Sequence, residues 1–167
     1  MLDASETAVY VAVTRGNAIW RLPLLLDGMP SKVGLFIQMS GGVGPDGMAA
    51  DEEGSLAVCH PGLGAALLFS AAGEPLYRVR SCADSFITNA AYDGEDWRWR
   101  YMTESHSATI LRAQMPVAGR RLYGHLGWRS KKKPPEGGHR KVQRQRIRAL
   151  RRRATTPRTP SPASINA

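Results

Sequence analysis

The sequence predicts an all-β chain, a partial β-propeller of about three blades of a six-bladed fold, with a basic tail behind it. Three observations predict this. Short alternating apolar segments recur with a period near 45 residues, turn-forming clusters punctuate them, and the basic residues collect at one end. Apolar residues make up 43% of the 167 and charged residues 22%, a globular composition. No apolar run approaches the roughly 18 residues that a membrane span needs. The opening Met1-Leu2-Asp3-Ala4-Ser5-Glu6 has no apolar stretch of the secretory type. Cys59 and Cys82 form neither a C-x-x-C pair nor a disulfide framework, so a reducing, cytoplasmic setting is expected.

Three segments share one layout: Ala8–Ala12, Ser55–Cys59 and Arg100–Glu104. Each alternates large and small side chains as a half-buried strand does. Turn residues precede each of them, at Asp3–Thr7, Asp51–Gly54 and Asp93–Asp96. A second strand follows in each case: Ala18–Leu22, Ala66–Phe69 and Thr109–Ala113. Aligning Tyr10, Ala57 and Tyr101 gives steps of 47 and 44 residues, the length of a four-stranded propeller blade. Lys32–Met39 and Pro75–Arg80 supply outer strands. Pro45–Ala50 and Thr88–Tyr92 read as the innermost strands of the blades that follow. A generic meander or sandwich is the alternative, since it shows similar strand spacing.

The charge splits sharply along the chain. Residues 1–128 hold 10 Lys and Arg against 13 Asp and Glu, a net −3, whereas residues 129–167 hold 13 against one, a net +12. The second part has no aromatic residue, few aliphatic ones, and Pro-, Gly-, Ser- and Thr-rich stretches. Such a composition cannot bury enough apolar area to offset its ordering entropy. The domain is expected to end at Trp128, with 129–167 a disordered tail or a marginal helix. Like charges at Arg144, Arg148 and Arg152 repel along such a helix. A tail of this kind gives salt-dependent, non-specific affinity for polyanions.

Gly44–Val58, reading GPDGMAADEEGSLAV, and Thr88–Ser105, with TNAAYDGED and YMTES, resemble segments of the gluconolactonase/regucalcin (SMP-30/LRE-like) family. The Tyr10-Val11-Ala12 and Ile19-Trp20-Arg21 hairpin is similar to another. The likeness runs over residues 2–126 in the family's order and spacing, and it matches the C-terminal part of the family only. It implies a six-bladed propeller that holds a divalent metal (Ca, Mg, Mn or Zn) in a central funnel and hydrolyses small lactones.

Such chemistry needs an ion that polarises the lactone carbonyl and acidifies a water. Asp and Asn oxygens suit hard cations of this kind. By the resemblance, Asp46 at the start of an innermost strand is the metal ligand and catalytic carboxylate. Thr88 and Asn89, one blade later, are expected to bind substrate. An Asp-Gly turn at Asp46 and a backbone-satisfying Thr-Asn are the plain alternatives. The connection Glu104-Ser105-His106 is expected to be structural.

The family's N-terminal Glu ligand and its Asn-Gly ligand have no counterpart here, and one carboxylate cannot fill six or more coordination positions. About 128 residues also fall short of the four blades that a closed wheel requires. The expectation is therefore a truncated lactone hydrolase, inactive or impaired alone and binding metal poorly. A second chain is one way to complete the ring, and a shifted reading frame would account for the composition break near His125. The alternative function is a non-catalytic β-rich module whose tail binds polyanions. Other chemistries find no support. Gly42–Gly47 matches a dinucleotide fingerprint, but a strand rather than a helix follows it. His60, His106, His125 and His139 lack zinc spacing. No G-x-S-x-G elbow is present, and Asp93–Asp96 is too short for a calcium loop.

Overall fold

The computed structural model describes residues 1–122. The expected domain end at Trp128 and the whole 129–167 tail lie outside the described residues. Ten strands form three antiparallel sheets, with one short 3-10 turn at Thr14–Gly16 between the first two strands and no α-helix among the described residues. The first sheet is β1 (Ala8–Val13), β2 (Ala18–Pro23) and β3 (Gly34–Gln38). The second is β4 (Met48–Ala50), β5 (Leu56–His60), β6 (Ala65–Phe69) and β7 (Pro75–Arg80). The third is β8 (Ile87–Asp93), β9 (Trp99–Glu104) and β10 (Thr109–Gln114).

Each sheet is a meander in sequence order, as short turns between antiparallel neighbours dictate. The expected repeat is present: β1, β5 and β9 occupy equivalent places. Asp side chains shape the turns ahead of them. Asp3 Oδ1 accepts the N–H groups of Thr7 and Ala8 at 2.8 and 3.1 Å. Asp51 Oδ1 accepts those of Glu53 and Ser55 at 3.1 and 2.8 Å, and Asp96 Oδ1 accepts that of Arg98 at 3.1 Å. Carboxylates that bond the backbone a few residues on are what make Asp a turn former.

The sheets stack face to face, with the second in the middle. Its odd and even positions feed two different cores, because successive strand side chains point to opposite faces. Leu56, Val58 and Phe69 join Tyr10, Ile19 and Ile37 of the first sheet. Ala57, Cys59, Ala66, Leu68 and Val79 join Ile87, Ala90, Tyr92, Met102 and Leu111 of the third. All five residues of β5 are consequently buried. This is the partial propeller arrangement expected from the period, and the sandwich alternative falls away. The outer face of the first sheet carries an exposed apolar row, Val11–Trp20–Leu35, paired across its three strands.

The end sheets depart from the four-stranded pattern. Along the free edge of β1 run residues 1–3. The Tyr10 N–H donates to the Met1 carbonyl at 2.7 Å, and the Asp3 N–H to the Ala8 carbonyl at 2.8 Å. After β10 the backbone passes beneath the sheets. Gly119 N–H donates to the Trp97 carbonyl at 2.7 Å, Glu52 N–H to Ala118 at 2.9 Å, and Arg120 N–H to Ala50 at 2.9 Å. Residues 118–120 thus strap the third sheet to the second at the end of β4.

Candidate functional site

Asp46 lies two residues before β4, at the end of the sheets opposite that strap. Its side chain is exposed, and its backbone is pinned by β5. The Asp46 N–H donates to the Cys59 carbonyl at 2.9 Å, and the Cys59 N–H donates to the Gly47 carbonyl at 2.9 Å. The ladder therefore extends past β4 and holds the residue at a fixed height. Gly47 N–H donates across to the Thr88 carbonyl at 2.8 Å, tying this point to the start of β8. A Cβ at Gly47 would overlap the amide oxygen of Asn89 and come within 2.8 Å of its Cα. Only glycine permits that approach, so Gly47 lets the segment that carries Asp46 pack directly against Asn89.

Asn89 is exposed, and its Oδ1 accepts the Ala90 N–H at 2.9 Å. Thr88 is half-buried and turned elsewhere, its hydroxyl 2.9 Å from that of Thr103 on β9. Of the three expected site residues, Thr88 and Asn89 lie against Gly47, the residue after Asp46. Thr88 contributes through its carbonyl. Beneath them Cys59 is fully buried. Burial pushes its thiol up to about 12, with the Arg100 cation opposing and the Asp46 charge adding to the rise. A thiol so protonated is no nucleophile.

The loop ahead of Asp46 is moulded on His60, which is wholly buried at the end of β5. His60 Nε2 lies 2.8 Å from Asn17 Oδ1, and Asn17 Nδ2 donates to the Gly41 carbonyl at 2.8 Å. Asn17 adopts a left-handed φ of 50°, which Asn tolerates better than most residues. Val43 N–H donates to the Pro61 carbonyl at 3.0 Å. Gly42, at φ 57°, leaves no room for a Cβ between that carbonyl and the imidazole. Burial holds the His60 pKa below its ordinary value, against the raising effect of the Pro61 carbonyl, so the ring is neutral and Nε2–H donates to Asn17.

A second braced loop stands at the same end. Glu104, 1% exposed, accepts N–H groups from Phe86 at 3.0 Å, His106 at 3.1 Å and Ser107 at 2.7 Å, and the Ser107 hydroxyl as well. Burial would push this carboxyl up, but the Ser107 hydroxyl and the three N–H groups outweigh it and hold the pKa down at about 2. Phe86 stacks on His106 with centroids 4.2 Å apart, and Asp84 reaches the His106 Nδ1 at 3.8 Å. The segment leading into β8 is thereby fixed beside Asn89. The expectation of a structural role for Glu104 holds.

Sequence reasoning missed the Asn17–His60 link and the part played by Gly47. The first joins residues 43 apart, for which no local signal exists. The second is hidden because an Asp-Gly pair reads as an ordinary turn.

As a donor set for a cation, Asp46 and Asn89 offer at most three side-chain oxygens, one of them already accepting the Ala90 N–H, where hard divalent ions take six to eight. Among the described residues no group of three His, Cys, Asp or Glu is placed to hold a metal. The residues present do not make a complete metal site. No described helix is long and apolar enough to cross a membrane.

Residues 1–106 match the family model described as the SMP-30/Gluconolactonase/LRE-like region. The chain belongs to this family. No curated protein matches the sequence. The fold is shared with a solved luciferin-regenerating enzyme at 19% identity and TM-score 0.63, over 71% of this chain and 45% of that one. It is shared with a calcium-binding protein, regucalcin, from Agrobacterium tumefaciens at 24% identity and TM-score 0.62, over 71% and 45%. A putative gluconolactonase matches at 21% identity and TM-score 0.62, over 72% and 39%. The chain spans less than half the length of these solved relatives.

Proposed function

We propose that this SMP-30/gluconolactonase-like chain carries one arc of a metal-dependent lactone hydrolase and turns over little or no lactone by itself. Asp46 is the metal-facing and catalytic carboxylate, and Asn89 is the substrate contact beside it. Thr88 serves by bonding Gly47 rather than by touching substrate. The single observation that carries this reading is the Gly47 crossing, which ties the backbone next to the exposed Asp46 to the start of β8, where Asn89 is exposed. A rigid pair of that kind suits a small oxygen-rich substrate. The amide can hold a lactone oxygen while the carboxylate accepts a proton from an attacking water.

Family membership supports a lactone as substrate. The calcium-binding description of one solved relative supports a divalent ion (Ca, Mg, Mn or Zn) in coarse terms. Asp46 and Asn89 by themselves hold such an ion only weakly. The missing donors and sheets would come from outside the described residues, a second chain completing the ring being one source. The free cysteines, Cys59 buried and Cys82 exposed, suit a cytoplasmic setting. The polyanion-binding alternative rests on residues 129–167, outside the described residues.

The test is hydrolysis of γ- and δ-lactones with and without each divalent metal, for the chain and for Asp46→Ala. At most a slow, metal-stimulated rate is expected, and it falls to background in Asp46→Ala. Robust metal-stimulated turnover that ignores the Asp46 substitution would overturn the assignment.

A further inference from the structure

The two end sheets of the stack each turn one face outward, and the repeat makes those faces comparable. Tyr10, Ala57 and Tyr101 hold one position in β1, β5 and β9. Two residues further on, Ala12, Cys59 and Thr103 pair across the hairpin with Ile19, Ala66 and Ile110. Tyr10 and Ile19 pack into the core between the first and second sheets, and Ala57 and Ala66 into that between the second and third. Tyr101 and Ile110 occupy the same side of the third sheet, which no described sheet covers. Tyr101 is half-buried and Ile110 is 60% exposed. The opposite sides match in the same way. The cross-strand pair Val58–Leu67 packs back on the first sheet, and Met102–Leu111 packs back on the second. Their counterpart in the first sheet is the exposed pair Val11–Trp20.

The two outer faces are therefore the halves of one core, and they copy the first core almost residue for residue. Tyr101 and Ile110 repeat Tyr10 and Ile19, and Val11 repeats Val58. Arg112, opposite Tyr101, repeats Arg21, opposite Tyr10, while Trp20 stands for Leu67. Stacked repeats that end in solvent carry a polar outer face, whereas the first sheet ends in Val11, Trp20 and Leu35. We propose that these faces bind each other between two copies of this chain, the third sheet of one copy against the first sheet of its partner. The contact continues the stacking that already joins the three sheets. It is heterologous, so it closes only if the turn per sheet allows. The arc matches 45% of one solved relative, so two copies nearly fill a fold of that size and close as a dimer with two such contacts. This deepens the proposed function, on which it rests for the arc, by naming the partner. Assembly is read without lactone, so its failure and that of the Asp46 assignment are separate results.

Sedimentation of the full chain at micromolar concentration should give twice the chain mass of 18.2 kDa. Trp20→Glu and Tyr101→Glu should each leave a monomer with an unchanged far-UV circular dichroism spectrum. In a Cys82→Ser background, Val11→Cys and Ile110→Cys chains are treated with a short bis-maleimide, Cys59 being buried. A cross-linked dimer is expected from the mixture and from neither variant alone. A monomeric parent chain would overturn the proposal, and that reading needs no variant to fold. Species that keep growing with concentration would overturn the closed ring. A dimer that survives Trp20→Glu, or a single-cysteine variant that links to itself as well as the mixture does, would overturn the pairing of these faces.

Discussion

The two ends of the sheets treat buried charge differently. At the end that bears Asp46, each buried polar side chain has its partners: His60 with Asn17, and Glu104 with four donors. At the strapped end Asp51 is satisfied too, by the Glu53 and Ser55 N–H groups, but Arg100 has the Tyr92 side chain as its neighbour instead of a carboxylate and Arg120 buries an Nη1 without a partner. Satisfied networks fix geometry, while unpaired charge costs stability without fixing anything. The contrast therefore locates where the fold invests in position. It does so around the two loops that lead to Asp46 and Asn89.

The largest expected effect breaks the crossing between those loops. Gly47→Val forces a side chain into Asn89 and its backbone, so β4 and β8 have to separate. A loss of about 2–3 kcal/mol is expected from overpacking of this kind, read as a fall in urea midpoint. Glu104→Ala comes next. It strands three N–H groups and a hydroxyl, and about 2 kcal/mol should go in the same measurement, with Glu104→Gln losing less. The Asn17–His60 pair follows. A double-mutant cycle between Asn17→Ala and His60→Ala should return a coupling of about 1 kcal/mol. Simple additivity would mean that the link does not position the loop.

The strapped end should respond with the opposite sign. Arg100→Met should raise stability by about 1 kcal/mol, since an apolar side chain of similar length suits that seam better than a buried charge with no carboxylate paired to it. The last effect is a graded loss in acid. His60 has a folded pKa below its ordinary value of 6.5, so its contribution is present above that value and is lost as pH falls through the lowered folded pKa. Glu104, held at about 2 against 4.5, contributes above pH 4.5 and is lost between 4.5 and 2. Denaturant midpoints across that range should fall in those two windows, and His60→Gln should remove only the first.

The sheets were legible in the sequence because their causes are local. Alternation in β5 and β9, Asp turns ahead of β1, β5 and β9, and a steady period all lie within a few residues of their effects. Strand edges were less so: the stretch 45–50 shortens to Met48–Ala50, since Pro45 has no N–H and Asp46 and Gly47 bond to β5 and β8 individually. Asp46 was legible as a candidate from its setting, and the proximity of Asn89 followed from the repeat. The hidden parts depend on contacts across sheets. Nothing near His60 names Asn17. Nothing near Arg100 says that its alternating position faces a core instead of water. The strap at 118–120 was missed for the same reason, as its partners Ala50, Glu52 and Trp97 come from two other loops.

The most direct measurement is a manganese titration of the chain followed by amide NMR, in which a bound paramagnetic ion erases the signals nearest to it. The account predicts weak binding that bleaches Asp46, Gly47, Asn89 and Ala90 first, and their recovery in Asp46→Ala. First bleaching of the acidic turns at 51–53 or 93–96, with those four amides untouched, would contradict it.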